Sequence, residues 1–191
     1  MPSFTSNHGP LQRDRTVLVL VDVQEKLFPL MQGRLDLQRR LTSLLCGFRL
    51  LSLPVVITEQ NPQGLGPTIA PLQPAVGEAR VVAKTSFSCC GEPAFLDALR
   101  ETERDQVVLA GIETHICVAG TAIDLLAQGY EVSVVADAVS TRLPHTHAIG
   151  LQRMTGAGVV PWTVEGVLFR LAGDSKCPEF KDLLRLVKEG V

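Results

Sequence analysis

Thr16 to Val21 (Thr-Val-Leu-Val-Leu-Val) is a continuous run of β-branched and leucine side chains with no charge in it. A strand with one wet face alternates apolar and polar residues. An unbroken run suits a strand buried on both faces, as in a parallel sheet covered by helices. Further short runs of this kind follow at Val55–Thr58, Arg80–Ala83, Val107–Ala110 and Glu131–Ala136, with Val159 and Val160 as a brief sixth. Between them lie segments with apolar residues at helical spacing: Leu35–Leu53, Glu92–Thr102, His115 to Gly129, His145–Thr155 and Pro178–Lys188. Strand and helix alternate throughout, which predicts an α/β fold with a mostly parallel, Rossmann-like sheet. Residues 1 to 13 read as a loose arm, and Glu59 to Pro74 as a long Gly/Pro-rich loop too short to be a linker. No internal repeat is visible, so residues 1–191 are expected to form a single domain.

Composition narrows the function classes. The hydrophobic fraction is 46% and the charged fraction 20%, as in soluble globular proteins. Net charge is -2 with no basic block, so nucleic acid is not an expected partner. The most apolar long window, Leu41 to Ile57, is interrupted by Arg49 and Pro54, so no membrane span is expected. Five cysteines without repeated spacing argue for a reducing compartment rather than a disulfide framework. The first residues carry no basic region followed by an apolar one, so no secretory signal is expected and the location is taken as cytoplasmic. No Gly-x-Gly-x-x-Gly follows the first strand and no Walker lysine motif occurs; no cofactor is expected.

The chemistry gathers at strand ends. Asp22 ends the first strand, Lys84 the third, and Cys117 lies just beyond the fourth. In doubly wound sheets the carboxyl ends of the strands form the ligand crevice where the strand order reverses. With the common order 3-2-1-4-5-6, Asp22 and Cys117 become neighbours across it. Gly111 breaks the fourth strand, Thr114 reads as the N-cap of the next helix, and Cys117 falls in its first turn. There the helix dipole and unpaired backbone N–H groups favour a thiolate and can hold an oxyanion. Taken alone, each residue has a plainer reading: a buried cysteine packs as a small hydrophobe, and a charge at a strand end is solvated.

Three segments carry a family resemblance: Val-Leu-Val-Asp-Val-Gln around Asp22, Val-Val-Ala-Lys-Thr around Lys84, and Ala-Gly-Ile-Glu-Thr-His-Ile-Cys-Val around Cys117. They resemble the signature segments of the isochorismatase-like cysteine hydrolases, over roughly Arg15 to Ala172. The loop Thr58 to Thr68, Thr-Glu-Gln-Asn-Pro-Gln-Gly-Leu-Gly-Pro-Thr, is similar to that of the small isochorismatase-domain proteins. The resemblance implies a six-stranded, three-layer α/β/α sandwich, a homo-oligomer (dimer or tetramer), and an Asp-Lys-Cys triad at Asp22, Lys84 and Cys117. It also implies a non-proline cis peptide at Ile112-Glu113, with the N–H groups of Glu113 and Cys117 as an oxyanion hole. In that scheme Asp22 takes the thiol proton and returns it to the leaving group. Lys84 keeps Asp22 ionised and stabilises the thiolate, and Cys117 attacks a carbonyl carbon to give a thioester-type intermediate.

The expected substrate is a small molecule with an amide-type C–N bond. Nicotinamidases of the superfamily carry an Asp-x-His metal pair after the second strand. Gln60, Asn61 and Pro62 stand there here, so no catalytic metal is expected. Phe28, Gln60 and Phe87 are candidates for the pocket wall, against a packing role for the two phenylalanines. His115 is read as exposed or structural, Cys46 as core, Cys89 and Cys90 as core or pocket wall, Cys177 as inert and Trp162 as a packing or subunit-contact residue. Arg142 is left open between a structural role and anion binding. Two alternatives stand beside the cysteine mechanism: acid cleavage of an isochorismate-like vinyl ether by Asp22 without Cys117, and a non-enzymatic interaction protein on this fold.

Overall fold

The strands expected at residues 16, 55, 80, 107, 131 and 160 pair into one six-stranded sheet in the order β3-β2-β1-β4-β5-β6, all parallel. They are β1 (Thr16–Val21), β2 (Val55–Gln60), β3 (Arg80–Lys84), β4 (Gln106–Ile112), β5 (Glu131–Ser140) and β6 (Val160–Trp162). The structure is a computed structural model and describes residues 9–188. Among the described residues eight α-helices accompany the strands: α1 (Arg34–Leu50), α2 (Pro62–Leu65), α3 (Gln73–Val76), α4 (Pro93–Glu101), α5 (Ala119–Ala127), α6 (Pro144–Ala157), α7 (Val164–Ala172) and α8 (Phe180–Lys188).

The period of two along each strand sorts the core into two layers. In β1, Leu18 and Leu20 join α1, α7 and α8 through Leu41, Phe48, Leu168 and Leu183. Val17, Val19 and Val21 point the other way, to α4, α5 and α6 through Phe95, Leu99, Ala122 and Met154. All six β1 residues are buried, which is why no polar residue interrupts the run.

Several boundaries differ from expectation. The fifth strand was expected to stop at Ala136, but β5 continues to Ser140. Asp137 does not end it because its carboxylate is satisfied at a distance, accepting from Val164 N–H at 2.9 Å and from Arg40 at 2.7 Å. Helix α7 was not anticipated; Thr163 caps it by accepting from Gly166 N–H at 3.1 Å. The stretch Glu59–Pro74 is not an open loop, since it holds the end of β2, helix α2 and a turn at Ala70–Leu72. Gln24 ties it down, donating to the carbonyls of Gln60 (3.0 Å) and Gly66 (2.6 Å) and accepting from Gln60 N–H (2.8 Å). Of the expected loose arm, residues 1–8 lie outside the described residues. Residues 9–13 are docked: Leu11 is buried and Arg13 reaches the Leu51 carbonyl at 2.7 Å and Glu179 at 2.8 Å.

Candidate active site

Register brings the polar strand ends to one edge. Val21 sits opposite Thr58 of β2 and Gly111 of β4, and Gln60 opposite Lys84 of β3. Strands β1 and β4 flank the reversal of strand order, so Asp22 emerges at the crevice. Gly111 allows the two strands to close there. Its φ is +113°, and a Cβ on it would stand 2.2 Å from the Val21 carbonyl oxygen. Asp22 itself takes a left-handed φ of 52°, with its N–H held by the Thr58 carbonyl at 3.1 Å.

The Asp22 and Lys84 side chains are both buried, and Lys84 Nζ lies 2.7 Å from Asp22 Oδ2. Lys84 also donates to Gln60 Oε1 (2.7 Å) and to the carbonyls of Ser86 (3.0 Å) and Phe87 (3.2 Å). A buried ammonium requires such a set of acceptors, because its desolvation is otherwise uncompensated. The second carboxylate oxygen of Asp22 accepts from Thr58 Oγ1 at 2.8 Å.

Cys117 is buried in the same layer as Val21 and Cys89. It lies in a π-helical turn, Thr114–Val118, that leads into α5, and not in the first turn of an α-helix. Thr114 is not an N-cap. Glu113 occupies that place, and Thr114 Oγ1 lies 3.0 Å from His147 Nδ1 of α6. The surroundings of the thiol run against a dipole-stabilised thiolate: burial first, and then the charge of Asp22, push the Cys117 thiol up to about 12, with Lys84 pulling it down only in part.

The Ile112-Glu113 peptide bond is cis. The Glu113 carboxylate accepts from Arg142 N–H and Nε, both at 3.0 Å, so Arg142 ties the loop after β5 to the turn that carries Cys117. Gln60 stands against Lys84, and Phe87 is 68% exposed beside it. Phe28 packs in the α1 layer with Val23 and Met31. His115 is half-buried, and its Nδ1 has no hydrogen-bond partner among the described residues. All five cysteines are free. Among the described residues no three His, Cys, Asp or Glu side chains gather in a set that could hold a metal ion. No described helix is long and apolar enough to cross a membrane.

Sequence reasoning missed Thr58 and Gln24. A threonine in a strand reads as a β-branched filler, and nothing local tells which threonine faces a carboxylate 36 residues earlier in the chain.

The sheet order and the crevice at its reversal define a doubly wound α/β protein of the isochorismatase-type hydrolase fold. The Isochorismatase domain model matches residues 16–166, and the chain belongs to that family. Isochorismatase domain-containing protein 2 of Danio rerio is 39% identical over 179 residues, covering 94% of this chain and 90% of that protein. The structure of the MAR1 ribonuclease from Caenorhabditis elegans superposes with a TM-score of 0.89 at 33% identity, covering 94% of this chain and 93% of that one. An octameric hydrolase of unknown specificity from Escherichia coli shares the fold, with a TM-score of 0.85 at 23% identity over 96% of this chain and 98% of the other.

Proposed function

We propose that the chain, as one hydrolase domain over residues 1–191, cleaves the C–N bond of a small amide with Cys117 as nucleophile and Asp22 and Lys84 as its partners. The observation that carries this reading is the buried contact of Lys84 Nζ with Asp22 Oδ2 at 2.7 Å, with Asp22 dominating the electrostatics of the Cys117 thiol after burial. A carboxylate beside a thiol at about 12 supports the reading of Asp22 as proton acceptor, since such a thiol releases no proton to neutral water. Cys117 Sγ attacks the acyl carbon while its proton passes to Asp22. The C–N bond then breaks, Asp22 returns the proton to the departing amine, and water cleaves the thioester. The backbone N–H groups of Glu113 and Cys117 are assigned the oxyanion by the family resemblance; Gln60 and Phe87, beside Lys84, remain the candidates for the pocket wall, whereas Phe28 packs in the α1 layer, on the other side of the sheet from Cys117. Of these, Phe87 has the most exposed ring.

The wider assignments follow the same reading. The five free cysteines suit a reducing, cytoplasmic setting, and an octameric fold relative supports a homo-oligomer. The worm relative is described as a ribonuclease. A net charge of -2 offers a phosphate backbone no platform here, which favours a small molecule over RNA. The test is a panel of small primary amides read by intact-mass spectrometry. The expected result is an acyl adduct on Cys117, with Cys117→Ala lowering kcat by about 10⁴-fold or more. Turnover that survives Cys117→Ala would sink the covalent reading and leave acid cleavage by Asp22.

A further inference from the structure

Asp22 is gripped twice by one residue. The Thr58 carbonyl accepts the Asp22 N–H at 3.1 Å, and the Thr58 hydroxyl donates to Asp22 Oδ1 at 2.8 Å. Thr58 is fully buried, so its hydroxyl has no water to turn toward. A hydroxyl has one proton to give, and its direction depends on what occupies its lone pairs. Here Cys89 Sγ lies 3.6 Å from Thr58 Oγ1, itself fully buried and fixed by its backbone N–H to Thr121 Oγ1 at 2.9 Å. Thr121 lies in the first turn of α5, just after the π-helical turn that carries Cys117. The Cys89 thiol, pushed up to about 11 mainly by burial, keeps its proton through the neutral range and is a donor. The Thr58 proton is thereby left to Asp22.

We infer that Cys89 and Thr58 are positioning residues for the proposed base: Cys89 S–H donates to Thr58, Thr58 O–H donates to Asp22 Oδ1, and the carboxylate is locked with its remaining acceptor capacity open to Cys117. The groups facing Asp22 are then Thr58 from β2, Lys84 from β3, Cys89 from the turn after β3 and Cys117 from the π-helical turn. Cys89 acts through Thr58 and does not itself attack. The inference rests on the proposed pairing of Asp22 with Cys117, and it adds the two residues that decide which way that carboxylate faces.

The experiment is the rate of iodoacetamide alkylation at Cys117 between pH 6 and pH 10 on the full-length protein, mapped by peptide mass spectrometry. Base-assisted reaction through Asp22 gives a plateau near neutral pH. Thiolate formed by hydroxide gives a limb that climbs about tenfold per pH unit below the thiol's own titration. Thr58→Val is expected to lower the plateau about tenfold and leave the limb unchanged, the loss of one hydrogen bond to a charged group. Thr58→Ser restores the plateau to within about twofold, and Cys89→Ala lowers it about threefold. A merely structural defect would move limb and plateau together. A plateau that Asp22→Asn removes and Thr58→Val leaves intact overturns the relay alone. No plateau in the wild-type protein overturns the Asp22–Cys117 pairing, and the relay with it. Should Thr58→Val not fold, Cys89→Ala tests the same chain from its far end, and a plateau unchanged in that variant refutes the relay.

Discussion

Lys84→Met should destabilise the fold far more than the loss of a surface lysine. The side chains of Lys84 and Asp22 are 0% and 1% exposed, so removing the ammonium leaves a carboxylate with no solvent and only neutral donors, the Thr58 hydroxyl first among them. Breaking a buried pair from one side costs about 3–5 kcal/mol. Methionine keeps most of the aliphatic volume of lysine, so the cavity contribution stays below about 1.5 kcal/mol. Gln60 Oε1 and the carbonyls of Ser86 and Phe87 also lose their donor, but they lie next to the exposed Phe87 and can be rehydrated. The net expectation is about 4 kcal/mol, a large share of the roughly 5–15 kcal/mol typical of a domain. At about 2–4 °C per kcal/mol for a chain of this size, the Tm falls by about 8–16 °C. Urea unfolding followed by circular dichroism, with Asp22→Asn and the double variant, completes a cycle. The double variant removes both charges, so it should be more stable than the sum of the single losses predicts, by at least about 2 kcal/mol. Lys84→Met within about 1 kcal/mol of wild type, or a cycle additive to about 0.5 kcal/mol, would refute the claim that the pair is uncompensated when split.

Two further outcomes follow from backbone and thiol burial. Cys89 is pushed up to about 11, and Cys90 and Cys117 to about 12, burial being the main cause in each. These groups keep their protons in the fold at pH values where the unfolded chain has released them. Stability should therefore be full below pH 9 and decline from there toward pH 12, and alanine at the three positions should flatten the decline. Superimposable pH–stability curves would count against it. Gly111→Ala combines a φ of +113° with a Cβ 2.2 Å from the Val21 carbonyl, on the two central strands where neither backbone can yield. It should cost more than about 3 kcal/mol in urea unfolding, and a loss under about 1 kcal/mol would show that the strands are not so closely joined.

The sheet was legible because burial on both faces writes itself into consecutive residues, as in Thr16–Val21 and in the all-buried Gln106–Ile112. What escaped was set by partners distant in the chain. Asp137 read as a strand end because a charge has no local reason to continue one, yet Arg40 and the N-terminus of α7 supply its partners from 97 and 27 residues away. Residues 9–13 read as an arm, and they dock on Leu51, Gln106 and Glu179, none of which their own composition announces. Asp22, Lys84 and Cys117 could be read as strand-end residues because parallel register sends all such ends to one edge. Thr58 belongs to the same edge and carries no charge to attract notice.

The same distinction governs the thiol. A cysteine just after a strand and at a helix start invites a low-pKa reading, since the dipole and free N–H groups are local consequences of sequence. Desolvation and the nearby Asp22 charge act through space, and together they outweigh the pull of Lys84. The consequence is chemical. A thiol at about 12 does not ionise on its own near neutral pH, so a site that uses it must bring an acceptor into contact and hold it there. In the proposed mechanism Asp22 meets that requirement only while its other contacts, Lys84 on one oxygen and Thr58 on the other, keep the carboxylate from turning away. On that proposal Lys84 serves less as a switch that strips the sulfur of its proton than as the counter-charge that allows a carboxylate to wait in a buried crevice.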